Sequence, residues 1–121
     1  QAIEGDSELR RLVAQASAQD RPVMLEVYAD WCVSCQELEA FTFPDERVQA
    51  ALGDALLLRA DVTANDAGDQ ALLQRFDLYG PPAILFFGPD GVERRSHRVI
   101  GFKGPEAFTE HVRRAVPEAS S

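Results

Sequence analysis

The sequence predicts an α/β domain: a mixed sheet of four to five strands flanked by helices on both faces. Three observations carry this. Short apolar runs rich in β-branched and aromatic residues alternate with segments of helical periodicity, the pattern of parallel strands joined by right-handed crossovers. Pro89-Asp90-Gly91 is a strong turn signal between the last two runs and makes them an antiparallel hairpin. A length of 121 residues suits a single domain over 1–121, with enough chain to bury one core.

The elements follow in order. Asp6 or Ser7 caps a first helix in which Leu9, Leu12, Val13 and Ala16 recur at helical spacing, and Arg21-Pro22 stops it. Val23 to Ala29 (VMLEVYA) reads as a buried strand. Helical composition runs from Val33 to Ala40 and is interrupted over Phe41 to Pro44. Asp45 opens a second helical piece containing Val48, Ala51 and Leu52. Ala55 to Val62 (ALLLRADV) is the second strand. A helix from Asp66 to Phe76 and a loop from Asp77 to Pro82 separate it from the third, Ala83 to Phe87. Ser96 to Gly101 is the fourth. Pro105 suits the first position of a final helix with Phe108, Val112 and Ala115 on its inner face. The tail from Glu118 to Ser121 reads as frayed.

Composition excludes several classes. Twelve Lys and Arg against 20 Asp and Glu leave a net charge of −8, which disfavours sequence-independent nucleic-acid binding. No apolar run is long enough to span a membrane, so no direct insertion is expected. Two cysteines are too few for a disulfide-stapled mini-protein or a four-cysteine zinc site. The chain opens on Gln1, with no basic region and apolar stretch of a signal peptide, and reads as a processed or excised piece.

Cys32-Val33-Ser34-Cys35 follows a strand and opens a helix. A helix N-terminus offers unpaired N–H groups and the positive end of the dipole. A thiolate there is stabilised, which makes the first cysteine a nucleophile. The second lies one turn on, close enough to close a disulfide, so the pair exchanges two electrons through a mixed disulfide. A purely structural disulfide would close almost no loop and stabilise little. A zinc site would need two further ligands, and His97 and His111, which read as surface residues, fit no common metal spacing. No metal is therefore assigned.

Tyr28-Ala29-Asp30-Trp31-Cys32-Val33-Ser34-Cys35, with Gly80-Pro81-Pro82-Ala83 some fifty residues on, resembles the thioredoxin family. YADWCVSC followed by Glu37, Leu38 and Glu39, then TFPD, DVTAND and ILFF, is similar more narrowly to the C-terminal periplasmic thioredoxin-like domain of the DsbD family of bacterial membrane electron transporters. The likeness runs from about Pro22 to Phe108. It implies a thioredoxin-like fold, with Cys32 as the exposed nucleophile and Cys35 as the buried resolving cysteine. It implies that Pro82 is the cis-proline shaping a groove for a partner backbone; the other reading is an ordinary loop proline, with Pro81 next to it. It further implies a periplasmic protein-disulfide reductase with no organic cofactor, relaying electrons from a transmembrane domain to the N-terminal periplasmic domain of the same transporter. On that reading the chain is one soluble domain cut from a larger membrane protein. A free-standing thioredoxin or disulfide isomerase is the nearest alternative, against which Val33-Ser34 replaces the usual Gly-Pro. A non-redox binding module on the same fold is a third.

Two acids bear on the thiols. Glu26 sits among Met24, Leu25, Val27 and Tyr28, where burial would favour its neutral form and let it take a proton from Cys35. Its other reading is a strand-end acid pointing to water. Glu39, four residues after Cys35 and seven after Cys32, shares their helix face and opposes thiolate formation, or else is a solvated acid like Glu37. Trp31 is expected to cover the disulfide and contact the partner, with core packing as the alternative. Phe41 and Phe43 read as core. Arg94 and Arg95 are assigned no function. Asp61, Thr63, Asn65 and Asp66 lack the spacing of a calcium loop and read as a loop and helix cap.

Overall fold

The computed structural model describes residues 1–120. Ala2–Ile3 (β1) leads into helix α1, Gly5–Ala18. Val23–Tyr28 (β2) is followed by α2, Val33–Glu37, which continues as a π turn over Leu38–Thr42. Then come α3 (Glu46–Leu52), β3 (Leu56–Asp61), α4 (Ala67–Arg75), β4 (Ala83–Phe87), β5 (Val99–Ile100) and α5 (Pro105–Ala115). The sheet has five strands in the order β1-β3-β2-β4-β5. β1, β3 and β2 run parallel, and β4 and β5 are antiparallel to their neighbours. The predicted mixed sheet is therefore present. β2 is central, and all six of its residues are buried.

The sheet divides the interior into two cores. Leu9, Leu12 and Val13 of α1 and Leu72 and Leu73 of α4 pack against Leu25, Val27, Leu58 and Leu85 on one face. Val48 and Leu52 of α3 and Phe108 and Val112 of α5 pack against Met24, Ile84 and Phe86 on the other. Each of these large side chains contributes roughly 1.5–3 kcal/mol on burial. Side chains alternate across a strand, so Glu26 shares the face of Met24.

Local chemistry explains most boundaries. Asp45 accepts the Arg47 N–H at 2.8 Å and starts α3. Asp66 and Asp69 form a reciprocal capping box at the head of α4, and Asp61 accepts the Thr63 N–H. That Asp61–Asp66 stretch is a loop and cap, as expected.

Several expectations are corrected. The α1 cap is Glu4 rather than Asp6 or Ser7, its N–H donating to Glu8 Oε1 at 2.7 Å. The helix from Val33 is not interrupted at Phe41. It widens into the π turn, in which the Phe43 N–H reaches the Leu38 carbonyl at 2.9 Å. The extra residue turns Phe41 out to solvent, while Phe43 packs edge-on against Phe108 with ring centroids 5.5 Å apart. The fourth strand shrinks to Val99–Ile100 because Arg95–His97 form a 3-10 turn, although its antiparallel pairing with β4 holds. His111 is half-buried, its ring against Phe86 and its Nε2 2.5 Å from the His97 carbonyl oxygen. The tail through Ser120 is ordered. Pro117–Ser120 form a 3-10 turn with Ala119 buried, and the Arg94 guanidinium grips the Glu118 carboxylate in a two-pronged bond. Arg94, assigned no function from sequence, is thus a structural clamp, donating also to the Ala115 carbonyl at 2.8 Å. Ser121 lies outside the described residues.

Candidate active site

The cysteines sit where the central strand hands over to a helix. Cys32 is the N-cap of α2 and is disulfide-bonded to Cys35, with 5.3 Å between Cα atoms. Its Sγ accepts the Cys35 N–H at 3.2 Å, the bond expected of a sulfur at a helix N-terminus. Cys35 is fully buried, with Sγ 3.8 Å from the Val27 carbonyl oxygen. Cys32, expected to be exposed, keeps only 6% of its surface in the oxidised form, because its sulfur is bonded to that of Cys35 and the residue packs into the first core.

The Pro81–Pro82 bond is cis. Pro82 immediately precedes Ala83, which pairs with Val27 across β2 and β4. The register therefore brings the cis-proline beside the strand end whose carbonyl faces Cys35. Tyr79, three residues earlier, is completely exposed. Trp31 is not core: it is 61% exposed, and its indole N–H lies 3.4 Å from the Thr63 carbonyl oxygen. Thr63 also accepts the Asp30 N–H at 2.9 Å, and Gln36 Nε2 donates to the Asp30 carbonyl at 2.5 Å. The segment entering the cysteine pair is thus tied to the loop after β3.

Glu26 is 5% exposed, so it does not point to water. Burial first, then the neighbouring Glu39 carboxyl, raise its pKa from 4.5 to about 8, against a smaller opposing pull from Arg59. Among the described residues no donor reaches Glu26 Oε2. That suits a carboxyl which itself carries a proton, and the Glu39 side chain is its hydrogen-bonding neighbour. Glu39 lies in the π turn, with Oε2 3.4 Å from Arg59 Nε. Glu37 is exposed.

Arg59 is the member of this cluster that sequence reasoning missed. It stands opposite Glu26 in the β2–β3 register, and its guanidinium carbon lies 3.5 Å from the centre of the Tyr28 ring. The signal was present: a lone charge inside the apolar run ALLLRADV, as Glu26 is inside VMLEVYA. Only the parallel register shows that the two meet.

Comparison with known proteins agrees with this geometry. Residues 5–89 match the family model described as thioredoxin-like. The whole chain is 51% identical to part of the thiol:disulfide interchange protein DsbD of Ralstonia nicotianae, of which it covers 20%. The chain spans about a fifth of the length of the curated relatives it matches. The C-terminal domain of Neisseria meningitidis DsbD in its oxidised form is 33% identical and superposes with a TM-score of 0.82, over 93% of this chain and 98% of that one. Its reduced form matches at 31% identity and 0.78, over 93% and 99%. The chain therefore belongs to the thioredoxin-like family and, within it, to the C-terminal domains of DsbD.

Proposed function

We propose that the domain is a protein thiol–disulfide oxidoreductase that relays electron pairs inside a longer periplasm-facing transporter. Electrons arrive from a transmembrane domain and leave to the transporter's N-terminal periplasmic domain. The observation that carries this is the Cys32–Cys35 disulfide at the head of α2, with the cis Pro81–Pro82 bond next to the strand that pairs with β2. The cysteine pair is the redox centre, and no organic cofactor enters the chemistry. Among the described residues no helix is long and apolar enough to cross a membrane.

A donor thiolate attacks Cys32 Sγ; the Cys32–Cys35 bond breaks, its electron pair goes to Cys35, and Cys35 takes the proton of Glu26. The donor's second thiolate then attacks the donor's first sulfur and releases Cys32 as a thiolate. On the output side the Cys32 thiolate attacks a disulfide sulfur of the partner, whose other sulfur leaves and takes a proton from solvent. Cys35 returns its proton to Glu26 and attacks Cys32 Sγ, and the remaining partner sulfur leaves as a thiolate that takes its proton from solvent. One proton thus shuttles between Glu26 and Cys35 while two electrons pass through. Glu39 tunes this exchange through Glu26. Pro82 and Trp31 border the groove that receives the partner.

The deciding experiment is trapping. Cys35→Ser, reduced and mixed with the transporter's oxidised N-terminal domain, is expected to accumulate a Cys32-linked mixed disulfide. Absence of that adduct, with the unaltered domain still reducing insulin, would point instead to a general thioredoxin.

A further inference from the structure

The π turn is unexplained by the exchange chemistry alone. Such turns are rare and mark local departures that a sequence retains for a reason. Here the turn carries Glu39 between two anchors, Leu38 and Thr42, both fully buried. Leu38 packs into the second core. Thr42 donates its hydroxyl to the Lys103 carbonyl at 2.6 Å, joining the turn to the segment that enters α5, 61 residues away in sequence. Phe43, just past the turn, seats on Phe108 of α5. A threonine hydroxyl inside a helix ordinarily bonds back to the carbonyl a turn earlier, as Thr109 does with Pro105 at 2.7 Å. Thr42 bonds outward instead.

We propose that Thr42 is a positioning residue: its bond to the Lys103 carbonyl holds the helix in its π form, and that form keeps the Glu39 carboxyl on Glu26. Without the bond the turn is free to relax to the tighter α repeat, which rotates everything after Leu38 and withdraws the anchor behind Glu39. The charged and titratable groups facing Glu26 are few. Glu39 comes from the π turn and Arg59 from β3, with the Tyr28 phenol and its partner Asp30 further along β2. β4 presents apolar Ile84 opposite Glu26. Loss of Glu39 from this group therefore has one direction. It removes a neighbouring negative charge and a shared proton, and Glu26 becomes easier to ionise. The relevance to catalysis rests on the thiol–disulfide reading above, but the positioning itself does not.

The test follows the Glu26 carboxyl by carbon NMR across pH in the oxidised protein, where neither cysteine titrates. Thr42→Val keeps the shape and removes the donor. It is expected to lower the Glu26 midpoint by about one pH unit. Thr42→Ser, which restores a hydroxyl, is expected to return it. Thr109→Val removes a bond of the same kind in α5 and is expected to leave the midpoint in place, which separates positioning from general loss of stability. A Thr42→Val midpoint equal to that of the unaltered protein, or equal shifts in the Thr42 and Thr109 variants, overturns the proposal. Insulin reduction, measured in parallel, tests the oxidoreductase reading separately.

Discussion

Glu26 and Arg59 stand opposite each other on adjoining parallel strands, yet the Arg59 guanidinium lies over the Tyr28 ring and pairs with Glu39. Burial and the neighbouring Glu39 carboxyl disfavour the charged form of Glu26, raising its pKa to about 8. At neutral pH the proton is thereby kept on a side chain that solvent scarcely reaches.

That storage makes folding stability depend on pH. Glu26 binds its proton more tightly in the folded protein than in the unfolded chain, where its value is near 4.5. Its contribution is fully present below pH 4.5 and is lost as pH rises through about 8. Urea unfolding of the oxidised protein at pH 5 and pH 9 is expected to differ more for the native chain than for Glu26→Gln. The gap is on the order of a few kcal/mol. Parallel pH profiles for the two proteins would refute a buried, protonated Glu26.

The positive charge of Arg59 lowers the Glu26 value. Arg59→Met keeps an apolar stem over Tyr28 and removes the charge. The Glu26 carboxyl midpoint, read by NMR, is expected to move above 8, and reaction of Cys32 with iodoacetamide at pH 7 to slow severalfold. A midpoint that falls would mean that Arg59 acts by some route other than its charge.

Trp31 presents a mostly open indole ring beside the cysteines. Exposed aromatic rings of this kind are frequent anchors of protein partners. Trp31→Ala is expected to lower kcat/KM toward the proposed partner, the transporter's N-terminal domain, by about tenfold. Reduction of Cys32–Cys35 by dithiothreitol, which has no such surface to meet, is expected to stay the same. Equal losses with both reductants would assign the ring to the disulfide itself.

Arg94 ties the C-terminal turn to the body of the domain through Glu118 and the Ala115 carbonyl. Arg94→Ala is expected to cost about 1 kcal/mol, since the pair is partly solvated. Exchange of the Asp54 amide, which donates to the Ala119 carbonyl at 2.9 Å, is expected to accelerate. Bonding to Arg94 lowers the Glu118 pKa from 4.5 to about 2, so this contribution is present above 4.5 and is lost as pH falls toward 2.

Much of this was legible in the chain. The alternation of strands and helices, the caps at Asp45 and Asp66, and the cysteine pair at a strand-to-helix junction rest on interactions among near neighbours in sequence. What escaped depends on distant partners. β1 is two residues long and exists because Ala2 and Ile3 find Arg59 and Ala60. The π turn depends on Lys103, 61 residues away, and the ordered tail on Arg94. The surface location expected of His111 failed because the His97 carbonyl and the Phe86 ring cover it. Arg59 was visible as a charge out of place, but its company was set by register, which periodicity does not report.

The position of β2 between β3 and β4 has a mechanical consequence. The strand that delivers the cysteines has no free edge, so opening it would mean breaking ladders on both sides at once. Redox turnover can proceed without such opening, since the sulfurs lie beyond the strand's end. The protein thus separates what must stay still from what must meet a stranger. In amide exchange, Val23–Tyr28 are expected to be among the last to take up deuterium, as slow in the dithiol as in the disulfide form. The loop carrying Tyr79 is expected to exchange freely.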